Sequence, residues 1–355
     1  MEDLPKILEG VKAWFVETPR LKQFVRVPER KGSDVPVLFV HGNFTSGTYF
    51  EETIVSLSDK FYGVVPDLRG YGLTEDKVID ATLGFRDWSN DLKELLDALN
   101  LKNVHLVGWS MGSGIAMQFT IDYPEIVRSL TLISPVSPFG FGGTKDLKGT
   151  PCYEDFAGSG GGTVNPDFVQ RIKEHDTSDL DPNSPRNVIN NFYYKPPFRA
   201  KREEDYLRAS LLIKIGPDRY PGDFVPSPNW PNVAPGKFGP VNAMSPKYVN
   251  LSSITKIKNK IPILWVRGEA DLIVSDNSFF DFGYLGKMGF IPNYPGEDVY
   301  PPQPMVSQMR FVLEQYKENG GKYFEEVMKD CAHSPHIEKF EEFNRLLTNF
   351  IEENN

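Results

Sequence analysis

Cysteine is nearly absent: Cys152 and Cys331 are the only two in 355 residues, too few and too far apart for a disulfide framework or for metal-ligand spacing. Free thiols in a reducing compartment are the expectation. Long apolar runs are missing as well. Stretches such as residues 37–40 and 261–266 have strand length, and nothing approaches the roughly 18 apolar residues of a membrane-spanning helix. The start, Met1-Glu2-Asp3-Leu4-Pro5-Lys6, has no basic segment leading into an apolar one, so no secretory leader is read and a cytoplasmic location is expected, with no membrane partner. No block of Lys and Arg exists either: 39 basic against 48 acidic residues leave a net charge of −9, which argues against tracking a phosphate backbone and hence against a nucleic-acid partner. Histidine is scarce at five, which narrows any search for a catalytic base.

What is present is a rhythm. In the first third, short apolar runs alternate with helical patterns, the sign of an α/β fold with a mostly parallel twisted sheet flanked by helices. Residues 13–18 and 24–27 read as an opening hairpin, and 35–40 and 61–65 as continuous apolar strands buried on both faces. Residues 85–99 place Trp88, Leu92, Leu95, Leu96 and Leu99 three and four apart and predict an amphipathic helix. A strand over 104–107 follows, then a helix over 111–122 that stops before Pro124, then a strand over 127–133. There the rhythm breaks. Gly and Pro cluster in residues 138–166 and 216–246 around a more helical middle, with helices expected over 163–175 and 201–215 and irregular chain over 217–246. It resumes with a strand at 261–266, a second irregular stretch at 279–304, a helix over 305–318, a strand over 323–328 and a closing helix over 340–351. The division expected is a core of residues 1–135 and 250–355, interrupted by a loop insertion at 279–304, with an inserted cap region at 136–249.

The chemistry gathers where strands end. Gly108-Trp109-Ser110-Met111-Gly112 fits G-x-S-x-G, in which a serine occupies a sharp strand-to-helix turn and the flanking glycines leave room for chain that passes close by. Ser110 is the candidate nucleophile. The Met111 N–H starts the following helix and can face a developing oxyanion. A second donor is expected from the N–H of Asn43 or Phe44, just beyond the strand ending at Val40, with Asn43 preferred. His41 reads as a structural residue, His105 is committed to a sheet face, and His175 lies among charges in the inserted region. His333 and His336 follow the last strand, and His333 is nearer its end, the edge where catalytic groups collect in such sheets. For the carboxylate that orients the base, Asp271 is preferred over Glu269 in the loop after the strand at 261–266. Phe44 and Trp109, beside these groups, are the expected contacts to a small-molecule substrate. This chemistry calls for no metal and no organic cofactor.

The order Ser110, Asp271, His333 is that of the α/β-hydrolase arrangement. Together with Phe39-Val40-His41-Gly42, Pro66-Asp67-Leu68-Arg69-Gly70-Tyr71-Gly72 and His333-x-Pro335-x-x-Glu338, it makes the chain resemble the α/β-hydrolase superfamily over residues 13–135 and 250–352. The resemblance implies that the amides of Asn43 and Met111 form the oxyanion hole, that Asp67 and Arg69 serve packing, and that the inserted region caps the active site and governs substrate choice. Serine at the elbow sets the chain apart from haloalkane dehalogenases and epoxide hydrolases, which place aspartate there. Two features depart from the pattern: Asp271 and His333 stand 62 positions apart, and residues 136–249 carry no identifiable cap motif. A carboxylic ester or lactone cleaved through an acyl-enzyme is the expected reaction. A C–C bond hydrolase, a small-peptide aminopeptidase and a non-catalytic small-molecule receptor stay open beside it. Aromatics of the irregular stretches, including Phe139, Phe141, Tyr153, Tyr220, Trp230 and Phe290, fit either an apolar pocket or packing within the cap.

Overall fold

The computed structural model describes residues 4–30 and 35–355; Met1, Glu2 and Asp3, part of the stretch read for a leader, lie outside the described residues. Eight strands form one sheet: β1 (Val11–Glu17), β2 (Lys22–Pro28), β3 (Pro36–Val40), β4 (Tyr62–Pro66), β5 (Val104–Trp109), β6 (Val127–Ile133), β7 (Pro262–Gly268) and β8 (Lys322–Met328). Their order across the sheet is β1-β2-β4-β3-β5-β6-β7-β8. β1 and β2 are an antiparallel hairpin, β2 meets β4 antiparallel, and every later pairing is parallel. The unbroken apolar runs are explained by cover on both faces: Val37, Leu38, Phe39 and Val40 expose no surface at all. Burying such a side chain contributes about 1.5–3 kcal/mol. The outermost β8 instead carries Lys322, Glu325 and Glu326, charges that suit an edge open to water.

Two helices fix the middle of the sheet. Arg86–Ala98 turns Trp88, Leu92, Leu95 and Leu96 inward, as the spacing predicts. Met111–Asp122 is buried on all sides from Met111 to Thr120, so it shows no amphipathic stripe, and it packs on β5, β6 and the helix Arg86–Ala98. Because β3, β5, β6, β7 and β8 are parallel and adjacent, the loops that follow them emerge along one edge. That edge receives His41 to Phe44, Ser110, Asp271 and His333.

The chain between β6 and β7 adds no strand to the sheet, and here the sequence expectations need correction. The helix expected over 163–175 is Pro166–Lys173: Asn165 accepts from the Asp167 N–H, and Pro166 opens the first turn. The helix expected over 201–215 is only Glu203–Ser210, because Ile215–Gly216 leaves to pair with Tyr220–Pro221. The stretch 217–246 is not all irregular, since Phe224–Pro226 pairs antiparallel with Val233–Pro235; the prolines stand at the ends of these short strands, where no ladder donor is missed. Within 279–304 a helix, Phe282–Lys287, is capped by Asp281, whose carboxylate accepts from the Tyr284 N–H. A π-helical turn, Ile189–Tyr193, completes the segment. Among the described residues no helix is long and apolar enough to cross a membrane.

Candidate active site

β5 ends at Trp109 and the next helix begins at Met111, leaving Ser110 at the turn with φ +56°, a conformation a side chain holds only under constraint. The constraint is visible. The Ser110 N–H donates to the Ile133 carbonyl (2.8 Å), and the Ser110 carbonyl accepts from the Ser113 N–H (3.0 Å). Close approach accounts for a flanking glycine: a Cβ at Gly112 would stand 2.2 Å from the Val40 carbonyl oxygen, so the elbow could not press against the end of β3. The Met111 N–H is among the amides of the first helical turn that have no intrahelical acceptor.

Asp271 and His333 meet beside it. Asp271 Oδ2 lies 2.8 Å from His333 Nδ1, while Asp271 Oδ1 accepts from the N–H groups of Ile273 (2.8 Å) and Val274 (3.0 Å). With Nδ1–H given to the carboxylate, Nε2 is the ring nitrogen free to take a proton. The other carboxylate of that loop, Glu269, is exposed. The histidine's own loop is clamped from two sides: the Trp109 indole N–H donates to the His333 carbonyl (2.8 Å), and Glu338 accepts from the N–H groups of Ala332 (2.9 Å) and Lys195 (2.7 Å). Burial raises the Glu338 carboxyl above its ordinary value. His336 is elsewhere, buried between Phe50 (ring centroids 4.7 Å apart) and Trp109 (4.6 Å), with neither ring nitrogen hydrogen-bonded among the described residues.

Asn43, Ser110 and His333 open on one cavity of about 310 Å³. Its wall is mostly apolar, including Phe44, Phe141, Phe168, Phe192, Met244, Ile273, Phe279 and Leu285, so both irregular stretches contribute to it. Thr163, Asn165, Asn183, Tyr193 and Tyr220 add polar groups, and no Lys, Arg, Asp or Glu is among the described lining residues. Phe44 stands in the wall, edge to face with Phe168 at 5.0 Å. Trp109 does not. The expectation that it touches substrate gives way to a different placement, since its indole is fully buried and anchors the His333 loop. Asn43 is held by groups that sequence reasoning missed: the Tyr71 hydroxyl donates to its Oδ1 (2.7 Å) and the Tyr193 hydroxyl to its carbonyl (3.0 Å).

The remaining charged and basic candidates lie off the cavity wall. His41 Nε2 accepts from the Leu68 N–H (3.0 Å), and burial pushes this imidazole down to about 4. Asp67 pairs with Arg26 (2.6 Å) and accepts from the Gly47 N–H (2.8 Å), while Arg69 grips both oxygens of Asp91 at 2.8 Å each. Cys152 and Cys331 are free thiols, and burial pushes the Cys152 thiol up to about 12.

Comparison with known proteins gives this arrangement a family. The profile described as the alpha/beta hydrolase fold matches residues 35–278, more than half of the chain. The chain belongs to the α/β-hydrolase family. Among solved structures, the esterase EaEST of Exiguobacterium antarcticum superimposes with a TM-score of 0.60 at 17% identity, covering 96% of this chain and 100% of that one. At such identity the likeness speaks for the α/β-hydrolase fold alone. A cis-3-alkyl-4-alkyloxetan-2-one decarboxylase of Shewanella oneidensis is 36% identical over 108 residues, 29% of this chain and 33% of that protein. A 2-hydroxy-6-oxo-2,4-heptadienoate hydrolase of Pseudomonas putida is 33% identical over 108 residues, 30% of this chain and 39% of that protein. The chain thus matches well under half the length of either relative.

The histidines of this α/β hydrolase that stand off the cavity have a measurable consequence. Burial lowers His41 to about 4, His105 to about 4 and His336 to about 3, so all three are neutral in the folded chain at pH 6. Unfolding returns them to water, where they bind protons below pH about 6.5, so each costs stability as pH falls from 6.5 towards its folded value. Two buried carboxyls oppose this, since burial pushes Asp281 up to about 6 and raises Glu338 above its ordinary value. Each carboxyl releases at most one proton on unfolding against the three that the histidines take up, so unfolding is a net uptake and stability falls as pH falls. The melting temperature is therefore expected to fall between pH 6.5 and 4.5. His336→Phe, which removes an unpaired buried imidazole, should raise stability and flatten that slope; a thermal-melt series with the wild-type slope retained in the variant contradicts the account.

Proposed function

We propose that this α/β hydrolase cleaves a carboxylic ester or lactone of a small, neutral, apolar substrate through an acyl-enzyme. Ser110 attacks the carbonyl, His333 takes its proton at Nε2 and returns one to the leaving oxygen, and Asp271 fixes the tautomer and stabilises the imidazolium. The N–H groups of Asn43 and Met111 face the oxyanion. The observation that carries this reading is the 2.8 Å bond between Asp271 Oδ2 and His333 Nδ1, which leaves the opposite ring nitrogen for the cavity that His333 shares with Ser110. Water then attacks the acyl-enzyme with His333 again as base.

The cavity argues for the substrate class. At about 310 Å³ it is at the small end of ligand sites. With no charged side chain in the described wall, a carboxylate or ammonium on the substrate would be buried without a partner, at a cost of several kcal/mol. That weighs against an aminopeptidase, which must hold an α-ammonium, and against C–C cleavage of a carboxylate such as the heptadienoate in one relative's name. The dialkyl oxetanone in the other relative's name is an uncharged lactone, the kind of molecule this wall accepts. A panel of p-nitrophenyl butyrate and hexanoate, neutral lactones, p-nitrophenyl hemisuccinate and aminoacyl amides tests both parts. Neutral esters or lactones are expected to exceed their charged counterparts in kcat/KM by about 100-fold or more, a difference of about 2.7 kcal/mol. Equal rates for the hemisuccinate would sink the neutral-substrate reading, and no turnover of any ester or lactone would sink the hydrolase reading in favour of a binding protein.

A further inference from the structure

Three tyrosines gather near Asn43, and their hydroxyls are not equivalent. Tyr71 gives its proton to Asn43 Oδ1 and Tyr193 gives its proton to the Asn43 carbonyl, at 2.7 and 3.0 Å. The third, Tyr220, stands with Asn43 in the same cavity wall. Its phenol has a proton to give. No described protein group accepts it. Tyr220 is only 4% exposed and stands in the cavity wall with Asn43, Ser110 and His333, so that proton belongs to the space the substrate must occupy. The ring is fixed by local structure: Ile215–Gly216 pairs with Tyr220–Pro221, the Tyr220 N–H donates to the Lys214 carbonyl (3.0 Å), and the ring leans on Phe44 at 6.4 Å between centroids.

We propose that Tyr220 is a catalytic residue of this hydrolase: its O–H donates to the substrate carbonyl oxygen as negative charge gathers there, a third donor beside the amides of Asn43 and Met111. The inference rests on the serine-hydrolase reading and deepens it, because it makes the segment between β6 and β7 part of the reaction as well as of the wall. Burial pushes the Tyr220 phenol well above its ordinary value, so the hydroxyl keeps its proton throughout the working range and serves as a donor rather than a base. In an apolar cavity such a preoriented hydrogen bond strengthens as the oxygen becomes an anion, which is the condition for lowering the barrier rather than tightening ground-state binding.

Tyr220→Phe removes one oxygen and keeps the ring. With p-nitrophenyl butyrate, kcat is expected to fall about 100-fold while KM stays within about threefold, the pattern of a donor that acts in the transition state. The rate at which a fluorophosphonate labels Ser110 should fall in parallel, because its phosphoryl oxygen enters the same hole. Binding of a p-nitrophenyl alkyl ether, which has no carbonyl, should be unchanged, as a purely structural role would not allow. Unchanged kcat and labelling, or a rise in KM alone, overturns the proposal. Should Tyr220→Phe fail to fold, 3-fluorotyrosine at position 220 keeps ring and hydroxyl and makes a stronger donor; kcat at or above wild type is expected, and a 10-fold drop overturns the proposal. Failure of the underlying reading looks different. A wild type that is labelled at Ser110 but turns over no ester or lactone removes the hydrolase reading and leaves the labelling rates to judge Tyr220, while a wild type that is not labelled at all overturns both.

Discussion

Replacing Ser110 by alanine is expected to reduce ester turnover by about 10⁴- to 10⁶-fold while leaving the fold intact. Both halves of that expectation come from the elbow. The Ser110 hydroxyl makes no hydrogen bond among the described residues, so its loss breaks no structural contact, and the turn is held by backbone bonds to Ile133 and Ser113 that alanine keeps. Positive φ is as costly for alanine as for serine, so no new strain appears. The melting temperature should match wild type. What disappears is the acyl-enzyme: rapid-quench mass spectrometry with a slowly deacylated ester should find the acyl mass on wild type and none on Ser110→Ala. Hydrolysis undiminished in the variant, or an acyl mass that persists on another residue, would sink the assignment of Ser110 as nucleophile.

How much of this site is legible in the sequence depends on the distance over which each residue is constrained. Ser110 is legible because its constraints are local: a buried strand before it, a helix after it, and glycine where the end of β3 passes 2.2 Å from a would-be Cβ. The sheet is legible for a similar reason, since cover on both faces demands the apolar runs at β3 and β4. Asp271 against Glu269 and His333 against His336 are choices between neighbours in one loop, which sequence spacing ranks without deciding. Tertiary contacts distinguish the members of each pair: Asp271 reaches His333 at 2.8 Å while Glu269 is exposed, and Phe50 and Trp109 enclose the His336 ring.

The wall is where sequence reading loses its grip. Tyr193 ends a π-helical turn and Tyr220 sits in a two-residue strand, and neither element has a period that a pattern of residues could reveal. Trp109 shows the reverse error. Its position beside the nucleophile suggests a substrate contact, yet side chains before and after such a turn point to different sides, and the indole goes under the His333 loop. Proline and glycine clusters correctly mark where regular structure thins, and they conceal the short elements they terminate, as with Phe282–Lys287 behind its Asp281 cap.

Asp271→Asn should be nearly as damaging as the loss of the nucleophile, and for a reason of proton placement. Asp271 Oδ1 accepts from two backbone N–H groups, at 2.8 and 3.0 Å, so in the variant the oxygen of the amide must stay at that position. The NH₂ group is then turned towards His333 Nδ1 at the site of the present 2.8 Å bond. A donor facing Nδ1 forces the ring proton to Nε2, the nitrogen that has to accept the Ser110 proton, and the imidazolium also loses its counter-charge. The expected fall in kcat is about 10⁴-fold, or about 5.5 kcal/mol of transition-state stabilisation, with KM and melting temperature little changed. Fluorophosphonate labelling of Ser110 should slow as well, since it needs the same base. Glu269→Gln, at the exposed carboxylate of the same loop, should leave kcat at the wild-type value. An Asp271→Asn variant within tenfold of wild type, or a large loss in Glu269→Gln, would assign the orienting role to another residue.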